Sequence, residues 1–567
     1  MAKGPAKRRF PPLSLLPEMI RVLWRRLLHG PRLLWRRSWF YGRLLKGPLA
    51  DRIVFHPYDP KPRRLEDADA LLRGRFRFHG EMVEVNTGSI FDKPPPSHEW
   101  AEALHGFAWL APLSAAGGDA ARILATNLIG QWLKRNARYA EPQWYPHVVA
   151  RRLINLFAHG RLAVANSDVL WRSKLFVSLR EQSRFLARTS GEAPDGMPRF
   201  EAAAALALSG ACLDSPRRLD AGLARLESEI ARQILADGGH VTRSPEALVH
   251  THRLVMMVMD ALSAIGRNPP HELRNAHDRM APMLRFFRHG DGALALFNGA
   301  RECDPRLIAA LLARDEIRGQ PFAFARHSGY QRLAAGRTMM LMDCGAPPAG
   351  AFSLAAHAGC LAFELSAGPQ RIVVNCGSGR DRWESALRAT AAHSTVTLAD
   401  TSSATILGEG WARNLLGARL LDGPSAVESS RRETAQGWCI EASHDGYVAP
   451  FGVRHERQLT LSSRGIALTG ADRLLPDTKA RGEGVDYALR FHIHPDIRVS
   501  LSQGGDILLK LPNGDGWRFR SGAPVEIEES VYLGGENTRR TDQLVVSGTL
   551  KNEPVEIAWI FEQIGQS

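Results

Sequence analysis

The order of apolar and polar positions divides the chain into three stretches with different periods. Near the start, Ile20, Leu23, Trp24, Leu27 and Leu28 recur at three- and four-residue intervals. Arg21, Arg25 and Arg26 fall elsewhere on the wheel, which predicts an amphipathic helix ended by Gly30-Pro31. A second basic and aromatic stretch runs from Leu33 to Tyr41. The Gly-punctuated segment Arg75–Ile90, with alternating Phe76, Phe78 and Met82, Val83, Val85, predicts a β-hairpin or a small-strand entry.

From Glu99 to about Ala313 the period is helical. Trp100, Leu104, Phe107 and Ala108 recur at threes and fours, as do Leu124, Leu128 and Trp132, and the Ala202–Leu208 run is a strong helix former. Gly-, Pro- and Asp-rich loops separate these stretches, predicting eight or more helices of roughly 10–18 residues in an array of hairpins. No fixed sequence period recurs, which argues against a solenoid of near-identical repeats. Near Phe324 the pattern changes to short β-branched and aromatic runs between Gly, Asp and Asn turns, such as Thr338–Met342, Arg371–Asn375 and Leu489–His494. The predicted organisation is a basic amphipathic arm over 1–56, an all-α domain over 57–323 and a large antiparallel β-sandwich over 324–567.

Charge changes the picture only at the N-terminus. Residues 1–50 hold twelve Lys and Arg against one acid, Glu18, so +11 of the net +14 sits there and the other 517 residues carry +3. A near-neutral body removes most of the case for a nucleic-acid enzyme, and no nucleic acid is expected as partner. Arginines bordered by Trp suit an anionic membrane surface, while a helix packed on the body with solvated arginines is the competing reading. No uncharged run of the arm approaches the ~18 residues needed to span a bilayer. Arg8-Arg9-Phe10 resembles a twin-arginine export signal, but Pro11, Pro12, Pro17, Glu18 and Arg21 break up the apolar stretch that should follow. No clear signal peptide and no transmembrane helix are therefore expected. The six cysteines form no CxxC pair and no zinc-finger spacing, and read as buried small side chains.

GxxxxGK[ST], HExxH and GxSxG are all absent. The polar residues that stand out open the β half: His357 in AAHAGCLAFEL, then RATAAHSTVTLAD with Arg388 and His393. Two histidines flanking short strands 36 residues apart can meet across a hairpin, as a general base, as metal ligands or as satisfied structural histidines. In the helical half, DGGHVTRSPEALVHTHR carries Arg243, Glu246 and His250, and Trp144, Tyr145, Arg151 and Asn155 place aromatic and basic groups on another helix. Sugar clefts use such mixtures, rings stacking on apolar sugar faces and Arg neutralising carboxylates; core aromatics beside a surface Arg pair are the bland alternative.

RATAAHSTVTLAD resembles the signature R-S-T-x-A-H-N-T-V-x-V-D-G of heparinase II/III-like proteins. AAHAGCLAFELSAGPQRIVVNCG is similar to the H-x-H-A-D-x-x-S-F-E-L…D-x-G stretch of that family, and DGGHVTRSP to its D-G-G-H-x-E-R-S-P segment. The resemblance implies an incomplete (α/α) toroid followed by an antiparallel β-sandwich. It implies lysis of an acidic, uronic-acid-containing polysaccharide by β-elimination: the carboxylate is neutralised, a base removes the C5 proton and an acid protonates O4. For a lyase whose apparatus is relocated in this chain, His393 or His357 would be base, Tyr330 or His250 acid, and Arg199, Arg243 or Arg388 the neutralising group. Trp144, Tyr145, Arg151, Asn155 and Glu246 would contact substrate.

This chain departs from the family pattern where the usual catalytic Tyr is Ala247, where the neutralising Asn falls near Met197, and where two acids are Gly359 and Asn375. The ligand pattern of the structural divalent metal found in some members is thus incomplete, and no cofactor is firmly implied. Enzymatic activity is left open between a lyase and a diverged glycan-binding or polysaccharide-assembly protein. The expected place is the cell envelope, periplasmic by resemblance or peripheral on the inner membrane.

Overall fold

The computed structural model describes residues 15–48, 52–136, 138–165, 167–314, 319–379, 383–476, 484–535 and 537–565, so the Arg8-Arg9-Phe10 signal lies outside the described residues. Two compact units divide the chain: residues 23–234 with 250–277, and residues 1–22, 235–249 and 278–567.

The first unit is helical. Its N-terminal part is the second half of α1 (Leu16–Leu27), then α2 (His29–Arg37) and α3 (Trp39–Leu44). The predicted hairpin forms as strands Arg75–Phe78 and Glu81–Glu84, paired antiparallel. Helices Pro146–His159, Met197–Cys212 and Pro216–Gln233 pack together around the Ala-rich run, whose residues 202–212 are all buried. Small residues let these backbones approach closely. A Cβ on Gly210 would sit 2.2 Å from the Leu219 backbone nitrogen, and one on Gly222 would sit 2.3 Å from that of Ala207. In place of uniform helices, residues 99–313 hold seven of 14–21 residues together with shorter ones such as Leu110–Ala116. The extra breaks fall at glycines: the chain turns at Gly117 and Gly118, both at positive φ.

The second unit is an antiparallel β-sandwich. One sheet has eight strands in the order Val427–Thr434, Gly437–His444, Val453–Ser462, Ala467–Pro476, Val555–Ile564, Gly516–Ser521, Ile507–Lys510 and Arg498–Leu501. The other has nine, running from Glu526–Tyr532 through Arg539–Leu550, Val485–Ile493, Gln370–Val374, Phe363–Ala367, Thr338–Asp343 and Tyr330–Ala335 to Phe324–Ala325, with Val396–Leu398 also paired to Val485–Ile493. Period-two alternation places one face of each sheet in a shared core. There Phe363 of one sheet stacks on Trp559 of the other, ring centroids 5.5 Å apart, and Phe491 packs edge-on against Trp559 and Phe561.

Candidate functional site

Strand ends of the nine-stranded sheet, with the turns at residues 240–244 and 294–298 of the same unit, assemble one continuous polar network. His357 Nδ1 lies 3.2 Å from His393 Nε2, and His393 Nδ1 lies 3.1 Å from Asn375 Oδ1. A carbonyl oxygen only accepts, so His393 carries its proton on Nδ1 and receives the Nδ1–H of His357 on Nε2. Asn375 donates its amide to Glu364 at 3.1 Å, and the other Glu364 oxygen meets His289 at 3.0 Å. On the second side, the backbone N–H of His357 donates to Asn298, whose amide donates to the Tyr330 hydroxyl at 2.8 Å and to Asp343. Tyr330 in turn donates to the Arg243 carbonyl at 2.7 Å.

The network is sealed. His393 is 1% exposed, and Tyr330, Asn375 and Glu364 are 0% exposed. Burial holds His393 down to about 4 and lowers His357 well below the ordinary value, with further contributions to His357 from His393 and Arg388. Burial also drives the Tyr330 phenol far above its usual range. Arg243 forms an ion pair with Asp343, donates to the carbonyls of Ser328, Gly329, Gly345 and Ala346, and lies 4.7 Å over the Tyr330 ring. Burial alone would lower its pKa; the Asp343 charge outweighs that and keeps the guanidinium firmly protonated. Arg243, Asn298 and Leu361 all hold positive φ here, a conformation that costs a non-glycine residue about 1 kcal/mol or more.

Arg388 flanks the histidines. It is 3% exposed, donates to the carbonyls of Ala356, Ser353 and Ala418, and has its nearest carboxylate, Glu384, at 3.8 Å. Burial lowers it to about 10, Glu384 and Arg413 acting in opposite directions on it. Glu246 accepts the backbone N–H of Arg301.

The remaining sequence candidates stand in the helical unit. Trp144 is buried, with its indole N–H on the Asn136 carbonyl and its ring edge-on to Phe185. Tyr145 is half-buried and stacks on His147, and Asn155 donates to the Gly106 carbonyl. Arg151 pairs with Glu201 at 2.8 Å and Glu102 at 3.2 Å, and Arg199 with Asp195 at 2.6 Å. His250 is half-buried on the helix Pro245–Ala264. Each arginine expected to meet substrate carboxylates, Arg388 apart, therefore already faces a carboxylate of its own unit. A surface cavity of about 370 Å³, lined by Glu428, Ser430, Glu441, Glu456 and Arg473 among others, lies on the eight-stranded sheet and includes none of these candidates.

Residues 317–560 match the model of the heparinase II/III-like C-terminal domain. Over 542 residues, 92% of this chain and 93% of the other, the sequence is 33% identical to FtsZ-localized protein C of Caulobacter vibrioides (strain NA1000 / CB15N). The chain belongs to the heparinase II/III-like family. Among solved structures, heparinase III superposes with a TM-score of 0.70 at 14% identity, covering 99% of this chain and 93% of that one. Heparan sulfate lyase HepC from Pedobacter heparinus gives 0.59 at 17% identity, covering 98% and 92%. At such identities the likeness is one of fold: helical toroid followed by antiparallel β-sandwich.

Within this heparinase II/III-like chain, the departures from the family pattern have structural consequences. Met197 begins the helix Met197–Cys212, its sulfur accepting the Thr251 hydroxyl at 3.2 Å, and the half-buried Ala247 brings no hydroxyl. A Cβ at Gly359 would meet the His393 ring at 3.1 Å, so the imidazole occupies the space an acidic side chain would need. With Asn375 Oδ1 engaged by His393 and by the Ser394 N–H, the donors here do not fit a divalent cation. No group of three or more His, Cys, Asp or Glu is arranged to hold a metal among the described residues. Sequence reasoning did not single out Asp343, Asn298 or His289. The legible signal for Asp343 is a lone acid closing the otherwise apolar strand TMMLMD, which calls for a buried partner.

Proposed function

We propose that this chain is a diverged member of its family, which holds or helps to assemble glycan at the cell envelope without cleaving a uronic-acid polymer by β-elimination. One observation carries the reading: both ring nitrogens of His393 are engaged inside a sealed network, and the ring is 1% exposed. A base must reach within hydrogen-bonding distance of the proton it removes. A neutral imidazole bonded on both sides and closed off from solvent meets the protonation requirement and fails the geometric one. Ala247 in place of the usual Tyr and the internally paired Arg151, Arg199 and Arg243 support the same reading, because an acidic polymer would have to compete with Glu201, Asp195 and Asp343.

The arm supplies the address. No helix among the described residues is long and apolar enough to cross a membrane, yet Leu23, Trp24, Leu27, Leu34, Trp35, Trp39 and Phe40 are all 45–73% exposed in a segment without an acid. Such a surface suits peripheral contact with anionic lipid. The name of the 33% identical relative carries localisation with FtsZ, and this chain shares that place in our reading.

The experiment is incubation with a panel of uronic-acid polymers from mildly acidic to mildly alkaline pH, following absorbance of the unsaturated product, alongside retention of the protein on the same immobilised glycans. Retention without product is expected. Unsaturated product from any polymer refutes the diverged reading and restores β-elimination.

A further inference from the structure

The eight-stranded sheet ends in a long edge strand. Val427–Thr434 pairs with Gly437–His444 residue for residue, without a register shift, and no strand pairs with its other side among the described residues. The strand holds no proline and no bulge, two of the usual devices that blunt an edge. Its inward side chains fix it in place. Ser429 Oγ accepts the Gln331 amide at 3.3 Å, and the Arg431 guanidinium lies 4.7 Å over the Trp438 ring. Glu428, Ser430 and Arg432 alternate with these and are exposed on the outer face, where Arg432 pairs with Glu441 at 2.6 Å.

We propose that this edge pairs with the same edge of a second copy of the chain, antiparallel about a two-fold axis at Ser430, so that the two eight-stranded sheets become one. The backbone restricts the register. Along a strand, the N–H and C=O groups of alternate residues point to opposite sides, so the residues whose groups face outward share one parity. In a self-pairing, the numbers of facing residues must then add to an even number, and the two longest such registers use residues 427–433 or 428–434. Charge chooses between them. Centred on Arg431, the pairing sets that guanidinium against its own copy. Centred on Ser430, it sets Glu428 opposite Arg432 on each side of the axis, with Ser430 facing itself. Charges on an edge ordinarily guard it; these repel in one long register and attract in the other. The edge strand of the nine-stranded sheet, Glu526–Tyr532, does the opposite, because its longest self-pairing sets Glu529 against Glu529. An extended segment of unrelated sequence gains the backbone bonds without the two ion pairs, which favours the second copy. Glu428 and Ser430 line the cavity on this sheet, so Arg432 of the second copy reaches the rim of that cavity beside Glu428.

The test is sedimentation equilibrium of the full-length chain over a concentration series, which should show monomer and dimer in exchange. Arg432→Glu or Glu428→Arg places like charges opposite each other on both sides of the axis and should raise the dissociation constant about tenfold to a hundredfold. The double variant Glu428→Arg/Arg432→Glu should recover most of that loss. Both side chains are exposed, so circular dichroism should be unchanged in all three. All six cysteines are buried, so Ser430→Cys supplies an accessible thiol at the axis, where opposed Cβ atoms about 5 Å apart suit an intermolecular disulfide. It should cross-link on mild oxidation well ahead of Ser500→Cys, on the strand Arg498–Leu501 at the other end of the sheet. A wild-type chain that stays monomeric throughout overturns the proposal and leaves the edge to an extended segment of another protein. A dimer that tolerates both charge reversals, or in which the two cysteine variants cross-link alike, overturns the choice of this edge. Reversals that the double variant does not rescue overturn the register.

Discussion

Mild acid should unfold the β-sandwich unit before its carboxylates are neutralised. The unit buries His240, His393 and His492 in the neutral form: burial lowers His240 and His492 to about 3 and His393 to about 4, from an ordinary 6.5. His492 is lowered further by its neighbour His393. Because the folded values lie below the unfolded one, the unfolded chain takes up protons first as pH falls. Stability is then lost from about pH 6.5 downward at about 1.4 kcal/mol per pH unit per histidine, until the folded value is passed. At about pH 5 each of the three has removed about 2 kcal/mol, together about 6 kcal/mol, a large part of the 5–15 kcal/mol that holds a typical domain. Carboxylates act lower. Asp472 is buried, but Arg457 and His455 hold it at about 2, so its contribution is lost only below the ordinary carboxylate value of 3.8. Hydrogen exchange of the strand amides over a pH series in denaturant reads this unit by itself. His393→Gln should flatten the slope between about pH 6 and about pH 5 by close to 1.4 kcal/mol per unit, while lowering stability at neutral pH through the lost contact to His357. Unfolding free energy that stays level from neutral pH to about pH 5 refutes the picture of neutral buried histidines.

Two other outcomes follow from the same geometry. Arg243→Ala leaves the buried Asp343 without its cation and takes one donor from each of four carbonyls, and should cost about 3–5 kcal/mol in a denaturant melt; a loss below about 1 kcal/mol would show that the residue is not structural. If the chain sits at the envelope as proposed, deleting residues 1–48 from a fluorescent fusion should make its distribution diffuse; a fusion whose distribution does not change would place the address in the body instead.

Much of the fold could be read along the chain because its signals are local. The three- and four-residue period around Leu124–Trp132 became the helix Gly118–Arg135, and alternation around Thr338–Met342 became the strand Thr338–Asp343. The family signatures named His357, Arg388 and His393 because each motif is contiguous. What each of those residues does was not legible, since the answer depends on partners 30 to 100 residues away: Asn298 for His357, Ala356 and Ser353 for Arg388, Asp343 for Arg243, Glu201 for Arg151.

The N-terminal helix draws the line between the two kinds of information. The spacing of Ile20, Leu23, Trp24 and Leu27 and the excess of arginine are properties of the sequence, and they alone determine that the helix is amphipathic and basic. Only the tertiary structure decides that Met19 and Glu18 bind that helix to residues some four hundred positions away, leaving the apolar stripe facing solvent. The same holds for the signature histidines, whose identity is written locally and whose enclosure is not. Burial depends on which distant strands close over a side chain, and strand pairing follows from the packing of whole sheets.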